Sequence, residues 1–248
     1  MPNPELFSTQ AASYAKYRPT YPQELYEFIF SHVQHRETAW DCGTGNGQAA
    51  AVLAGYFQKV IGSDISTKQL DFAIKKPNIE YVNCSAEQTP FADNSFDLIT
   101  VAQAYHWFDF SAFKKEVTRV GRPGSLLAIW TYGHVQVNEE IDQIMRHFHD
   151  VIVGRYWDER RKYVVEGLIN IPFDYPEIHT PSFQIFAEWK RSDIAGYLDS
   201  WSAVQTFIRA TGKNPVPELI ENLKEYWNND DVKSVKFPLT LRLGKVKI

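Results

Sequence analysis

Cysteine is scarce in this chain. Only Cys42 and Cys84 carry a thiol among 248 residues, and neither stands in a Cys-x-x-Cys pair. Two isolated thiols provide neither a disulfide framework nor a thiolate zinc site, and they fit a reducing compartment. Long apolar runs are also missing. No uncharged stretch approaches the roughly 20 residues of a bilayer-spanning helix, so no membrane-spanning helix is expected in this sequence. The opening MPNPELFSTQ has no basic start and no apolar stretch, so it does not read as a secretion signal. Positive charge is not in excess. The 26 Lys and Arg against 30 Asp and Glu leave a net charge of -4 and no electrostatic footprint for duplex nucleic acid. A cytoplasmic protein acting on a small molecule is expected, with no nucleic-acid or membrane partner; the oligomeric state is left open.

What the chain does have is apolar and aromatic material, 44% and 15% of residues, enough for one sizeable core. From Tyr21 to Trp130 helical and strand patterns alternate, the mark of a parallel sheet with crossover helices. Strands are predicted at Thr38–Cys42, Lys59–Asp64, Ile79–Cys84, Phe96–Ala102 and Ser125–Trp130. A helix opened by Pro22 carries Leu25, Phe28, Ile29 and Val33, and another spans Phe110–Val120. Ser66 and Gln69 have the spacing of a helix start, with Leu70, Ala73 and Ile74 on the helix that follows. After Trp130 the rhythm breaks. Helical spacing over Asn138–Val153 leads into a Pro-rich passage, and two late strands are expected at Phe183–Lys190 and Ser234–Leu243. Helical patterns lie between them, near Ile194–Phe207 and Pro217–Trp227. The roughly fifty residues between the fifth and sixth strands are too long for a plain connection and read as a helical lid. The organisation expected is one domain: an arm over 1–20, a core over 21–132, a lid over about 133–180, and late strands and helices over 181–248.

The stretch AWDCGTGNGQAA puts Gly43, Gly45 and Gly47 directly after a strand. A glycine-rich turn from strand to helix lets a ligand approach the backbone and meet helix N–H groups. A dinucleotide fingerprint needs Gly-x-Gly-x-x-Gly, and the place of its third glycine is held here by Gln48. Asp41 beside the loop repels a pyrophosphate but suits a ligand with an ammonium group, such as S-adenosylmethionine. Asp64, at the end of the second strand, is placed to accept both ribose hydroxyls, although dinucleotide enzymes use the same acid. Readings as a nicotinamide-dependent oxidoreductase or as a non-catalytic cofactor-binding module remain as alternatives.

The segments WDCGTGNGQAA, VIGSDIS, AEQTPFADNSFDLITVAQAYHWFD and EVTRVGRPGSLLAIW resemble the successive motifs of class I S-adenosylmethionine-dependent methyltransferases. YAKYRPTYP and AQAYHWFD resemble the trans-aconitate methyltransferase-like branch, and YLDSWSAVQTF is similar to it as well. The resemblance implies an α/β, Rossmann-like, doubly wound sheet of seven strands with the last antiparallel. It implies that Asp41, Gly43, Thr44 and Gly45 hold the methionine portion of S-adenosylmethionine, Asp64 the ribose, and Ile65, Ala86 and Glu87 the adenine. Gln103 would face the methionyl end, and Tyr14 and Arg18 would fold over the cofactor. Ser125, where the family has a second glycine, is expected in a turn.

Methyl transfer from a sulfonium is an in-line displacement that needs alignment and desolvation and no metal, so no metal ligands are assigned. AQAYHWFD lies where the acceptor should meet the methyl group, and it lacks the Asn/Asp-Pro-Pro-Tyr/Phe pattern of enzymes that methylate base amines. His106 is the candidate base, since an ordinary imidazole titrates near neutrality; pocket shaping is its alternative role. Tyr105 and Trp107 are candidate pocket walls, and Trp201 is a candidate substrate contact. The lid cations Arg155, Arg160, Arg161 and Lys162 offer partners for an anionic acceptor, and a small organic-acid carboxylate is the favoured one.

Overall fold

The apolar segments of the first half become strands because a strand covered on both faces has no wet side for polar residues. In the computed structural model, which describes residues 17–247, β1 (Thr38–Cys42), β2 (Lys59–Asp64), β3 (Ile79–Asn83), β4 (Phe96–Ala102) and β5 (Gly121–Tyr132) pair in parallel. Their spatial order is β3-β2-β1-β4-β5. The chain therefore reverses its direction of growth between β1 and β4, which opens a crevice at the carboxyl ends of those two strands.

The late strands are β6 (Glu177–Ile178), β7 (Phe183–Trp189) and β8 (Lys233–Lys245). β8 runs antiparallel to β5 along one edge, while β7 and β6 occupy different lengths of its other edge. Because β6 and β7 share one position, the sheet has the seven positions expected, with the last strand of the chain antiparallel. β6 was not anticipated; two residues are too few to leave a period. β8 buries Val235, Phe237, Leu239, Leu241 and Leu243, a period of two that fixes its register.

Helices cover both faces. β5 sends Leu126, Ala128 and Trp130 to one apolar cluster and Leu127 and Ile129 to the other. The first cluster takes Leu25 and Ile29 of α1 (Gln23–Ser31) and Leu53 of α2 (Gln48–Leu53). A short α3 (Thr67–Asp71) follows β2, with the Ser66 hydroxyl accepting the Gln69 N–H at 3.4 Å. The second cluster takes Phe113 and Val117 of α4 (Phe110–Val120), which Asp109 caps by accepting the Ala112 N–H at 2.9 Å. Between β5 and β6 lie α5 (Glu139–His147), a wider turn over Phe148–Ile152, and α6 (Arg161–Val165), the helical segment expected there. α7 (Arg191–Asp199), α8 (Ser202–Thr211) and α9 (Val216–Asn222) connect β7 to β8. Among the described residues no helix is long and apolar enough to cross a membrane.

Three local expectations are corrected. The helix thought to carry Leu70, Ala73 and Ile74 stops at Asp71, because the Ile74 N–H turns to the Asn46 carbonyl at 3.0 Å. A tertiary bond replaces the helical one. β5 begins at Gly121, so Ser125 lies inside a strand at 2% exposure and not in a turn. The helical pattern of Ile194–Phe207 breaks into α7 and α8 at Ser200 and Trp201.

At the amino-terminal end of the sheet, one carboxylate ties three elements together. Asp97 Oδ2 accepts the N–H groups of Glu37 and Thr38, each at 2.9 Å, and Oδ1 meets the Arg122 guanidinium at 2.8 Å. Asp97 is buried, and its removal strands two N–H donors and leaves the half-buried Arg122 with Glu37 as its remaining carboxylate partner at 2.8 Å. Asp97→Ala is expected to cost about 3 kcal/mol of stability, measured as a lower urea midpoint at unchanged slope. A loss under about 0.5 kcal/mol would show the bonds to be incidental.

Candidate active site

The carboxyl end of β1 enters the glycine loop. Gly43, Gly45 and Gly47 all have positive φ, at 66°, 55° and 78°. A Cβ on Gly47 would stand 2.2 Å from the Tyr81 hydroxyl, so packing as well as backbone demands glycine there. A Cβ on Gly45 would meet nothing nearer than the Gln69 side-chain oxygen at 4.0 Å. The middle of the loop is thus its open face.

Two carboxylates hold this loop. Asp41 Oδ2 accepts from the Thr44 hydroxyl at 2.6 Å and the Ala50 N–H at 3.0 Å, and Oδ1 accepts from the Thr100 hydroxyl at 2.8 Å. At 1% exposure, its role is to bind β1, the loop, α2 and β4 to one another. Both Asp41 oxygens accept hydrogen bonds from within the protein. Asp64 is half-buried and more open; it accepts the Gly45 and Ser66 N–H groups, each at 2.9 Å. Burial pushes Asp41 up to about 6 despite its hydrogen bonds, and the negative charge of Asp64 adds to the shift. Burial also raises Asp64 above the usual carboxylate range. Among the described residues no cationic side chain offsets either one.

The other predicted cofactor contacts gather around this loop or lie along the same sheet end. Ile65 follows Asp64 with its side chain 38% exposed, an apolar surface beside a polar rim. Ala86 is buried, and Glu87 accepts the Asp109 N–H at 3.0 Å, joining the loop after β3 to the start of α4. Gln103 ends β4 with φ 55°, a left-handed conformation that costs energy for a residue with a Cβ. Its carboxamide is tied to β5 through the Thr131 hydroxyl and the Tyr132 carbonyl. Arg18 donates to the Tyr132 hydroxyl at 2.9 Å and the Ser200 carbonyl at 3.2 Å, which places its guanidinium between β5 and the α7–α8 break. Tyr14 lies outside the described residues.

The acceptor candidates separate. Tyr105 is not an open wall: it is buried among Phe108, Phe110 and Phe113, and its hydroxyl donates to the Pro172 carbonyl at 2.9 Å. Trp107 is half-buried, with its carbonyl accepting from Arg160 at 3.3 Å. His106 is 5% exposed, its ring 4.7 Å from that of Trp107. Burial, with the positive charges of Arg161 and Arg160, pushes its imidazole down to about 3. Arg155 lies on Tyr156 and Lys162 on Tyr163, both on the exposed side of the lid.

Residues 40–129 match the model of a family described as a methyltransferase domain. A Dictyostelium discoideum protein named as a methyltransferase is 36% identical over 96% of this chain and 94% of its own length. A solved structure described as a type II methyltransferase from Anaeromyxobacter dehalogenans is 34% identical, covers 93% of this chain and 98% of its own, and superposes with a TM-score of 0.85. The chain belongs to the methyltransferase family. A Saccharomyces cerevisiae relative named as an S-adenosylmethionine-dependent methyltransferase is 31% identical over half of this chain and 45% of its own length.

Sequence reading of this methyltransferase missed a cluster under the lid. His134, just past β5, meets the His149 ring edge-on at 4.2 Å between centroids. His149 lies 4.9 Å from Trp157 and 5.7 Å from Trp201, and the Arg161 guanidinium covers Trp157 at 4.9 Å. Trp201 is accordingly 3% exposed, held within this cluster. The sequence signal for it was slight: the adjacent pair His149-Asp150 in a helical pattern.

The buried imidazoles have a consequence for acid stability. An unfolded His106 binds a proton near pH 6.5 and the folded one only near 3. Between those values the unfolded chain holds the extra proton, so stability is full above about 6.5 and falls as pH falls toward 3. His134, lowered by burial and by His149 to about 4, acts in the same direction. Asp41 opposes them: its contribution is full at low pH and is lost as pH rises through about 6. His106→Phe is expected to shrink the loss of stability between pH 7 and 5 in urea titrations. An unchanged loss would show that His106 titrates freely.

Proposed function

We propose that this methyltransferase uses S-adenosylmethionine and methylates a small-molecule acceptor, an organic acid of the kind its trans-aconitate-like motifs imply. One observation supports the cofactor above others: the glycine loop is held by a buried carboxylate, Asp41, and a half-buried one, Asp64, with no cation among the described residues offsetting them. Such a field favours a ligand bearing sulfonium and ammonium charge and opposes the pyrophosphate of a dinucleotide. The name of the yeast relative supports the same cofactor.

When bound, S-adenosylmethionine supplies a methyl group on a sulfonium, open to in-line displacement. The residues fit that ligand. Gly45 presents open backbone, Asp64 keeps lone pairs for ribose hydroxyls beyond its two N–H bonds, and Ile65 offers an apolar face for adenine. Asp41 acts through the loop it holds. Arg160 and Arg161 supply positive charge over the acceptor side, which supports an anionic acceptor. A neutral His106 shapes that side and does not take a proton near pH 7. The net charge of -4 and the absence of an amine-methylating motif support an acceptor of small size over a nucleic acid. The free thiols Cys42 and Cys84 support a cytoplasmic location.

S-adenosylhomocysteine is expected to raise the melting temperature while NAD leaves it unchanged, since a ligand bound only to the folded state stabilises it by mass action. A shift with NAD alone would overturn the cofactor. Asp64→Ala should weaken S-adenosylhomocysteine binding by about 1.5–3 kcal/mol in calorimetry, the scale of hydrogen bonds to a charged group. Unchanged affinity would leave Asp64 as a loop clamp only.

A further inference from the structure

Among the described residues β7 pairs with β8 alone and forms an edge of the sheet. Its register runs unbroken from Phe183 against Leu239 to Trp189 against Lys233. In an antiparallel strand the N–H and C=O of one residue point to the same side, and successive residues alternate. Lys236 exchanges both its main-chain bonds with Gln136, and the Pro238 carbonyl accepts from Gly133, so these β8 residues face away from β7. Their β7 neighbours are Phe186 and Gln184. The main-chain groups of Gln184, Phe186 and, by alternation, Glu188 therefore point outward from the sheet. Among the described residues these groups meet no hydrogen-bond partner. The three side chains are also exposed, Phe186 at 66%, while Phe183 and Ile185 between them are buried. Native proteins blunt such edges with a bulge, a proline or an inward-pointing charge. β7 has none of these: its inward residues are Phe183, Ile185, Ala187 and Trp189.

We propose that β7 pairs with β7 of a second copy of this chain, antiparallel about a two-fold axis through Phe186. In that register Phe186 faces Phe186 of the second copy, and Gln184 faces its Glu188. Each facing pair exchanges N–H···O=C bonds in both directions, because these are the residues whose groups point outward. Facing aromatics stabilise a sheet, whereas like charges directly opposite destabilise it. Glu188 is the one charge in the row, and the two-fold register sets its two copies at opposite ends, each against a glutamine amide that can donate to it. The row is thus complementary to itself, and a closed two-fold contact covers the edge in both partners. β8 and β5 separate β7 from the crevice between β1 and β4, so the pairing leaves the glycine loop open.

The test follows the full chain by sedimentation equilibrium across about 1–100 µM, since an edge-only contact is a small interface and assembles weakly. A reversible monomer–dimer equilibrium is expected. Phe186→Lys, which sets two ammonium groups face to face at an exposed position, should weaken it about tenfold or more. Gln184→Lys, which gives each Glu188 a cation to face, should tighten it, and Gln184→Glu should weaken it. Hydrogen exchange reads the strand itself. In the dimer the amides of Gln184, Phe186 and Glu188 should slow, joining those of Phe183, Ile185 and Ala187 that β8 already protects. A chain that stays monomeric throughout, or a dimer indifferent to all three substitutions, would overturn the edge pairing. So would a dimer in which the amides of Gln184, Phe186 and Glu188 exchange as fast as in the monomer.

Discussion

Asp41 is the constraint on which the site depends. Its two oxygens join β1 to the glycine loop, to the first turns of α2 and to β4 in a single network of three hydrogen bonds. This fixes the crevice where the sheet reverses direction, and it explains why a carboxylate is tolerated in the interior. Desolvation raises Asp41 toward neutrality, but three donors hold the charged form in place. Asp64 continues the network from β2 by accepting the Gly45 N–H, so both halves of the sheet grip the same loop.

The two sides of the crevice are built on opposite electrostatic plans. On the loop side, two carboxylates lie without a cation among the described residues to neutralise them. On the lid side, burial and the positive charge of Arg161 lower the imidazoles of His106, His134 and His149, and Arg160 adds to the shift of His106. A cationic cofactor and an anionic acceptor would each find the complementary half. Burial and the positive charges of Arg161 and Arg160 together make an imidazolium at His106 unfavourable.

Most of the fold was legible because its signals are local. β1, β2, β4 and α4 were read to the residue, since each is a continuous apolar run or an amphipathic face bounded by Gly, Pro or a cap. α3 was overestimated because its ending is decided by Asn46, nearly thirty residues away, and local spacing carries no record of that bond. The site was read in halves. The glycine register and Asp64 stood out because a ligand that touches backbone needs a special sequence. Tyr105 was misplaced because an aromatic in a motif looks the same whether it faces the ligand or the core. His149 was passed over because a histidine on a helical pattern acquires meaning only from what surrounds it.

The sequence by itself determined the order of strands and helices and the open glycine turn, because period and turn chemistry are written residue by residue. Tertiary structure alone decided that both Asp41 oxygens are spent inside the protein, that Tyr105 braces Pro172, and that His134, His149, Trp157, Trp201 and Arg161 form one cluster. Those facts depend on burial and on contacts between residues far apart in the chain. The free energies involved, from desolvation and from unpaired polar atoms, arise only when the surrounding water is removed.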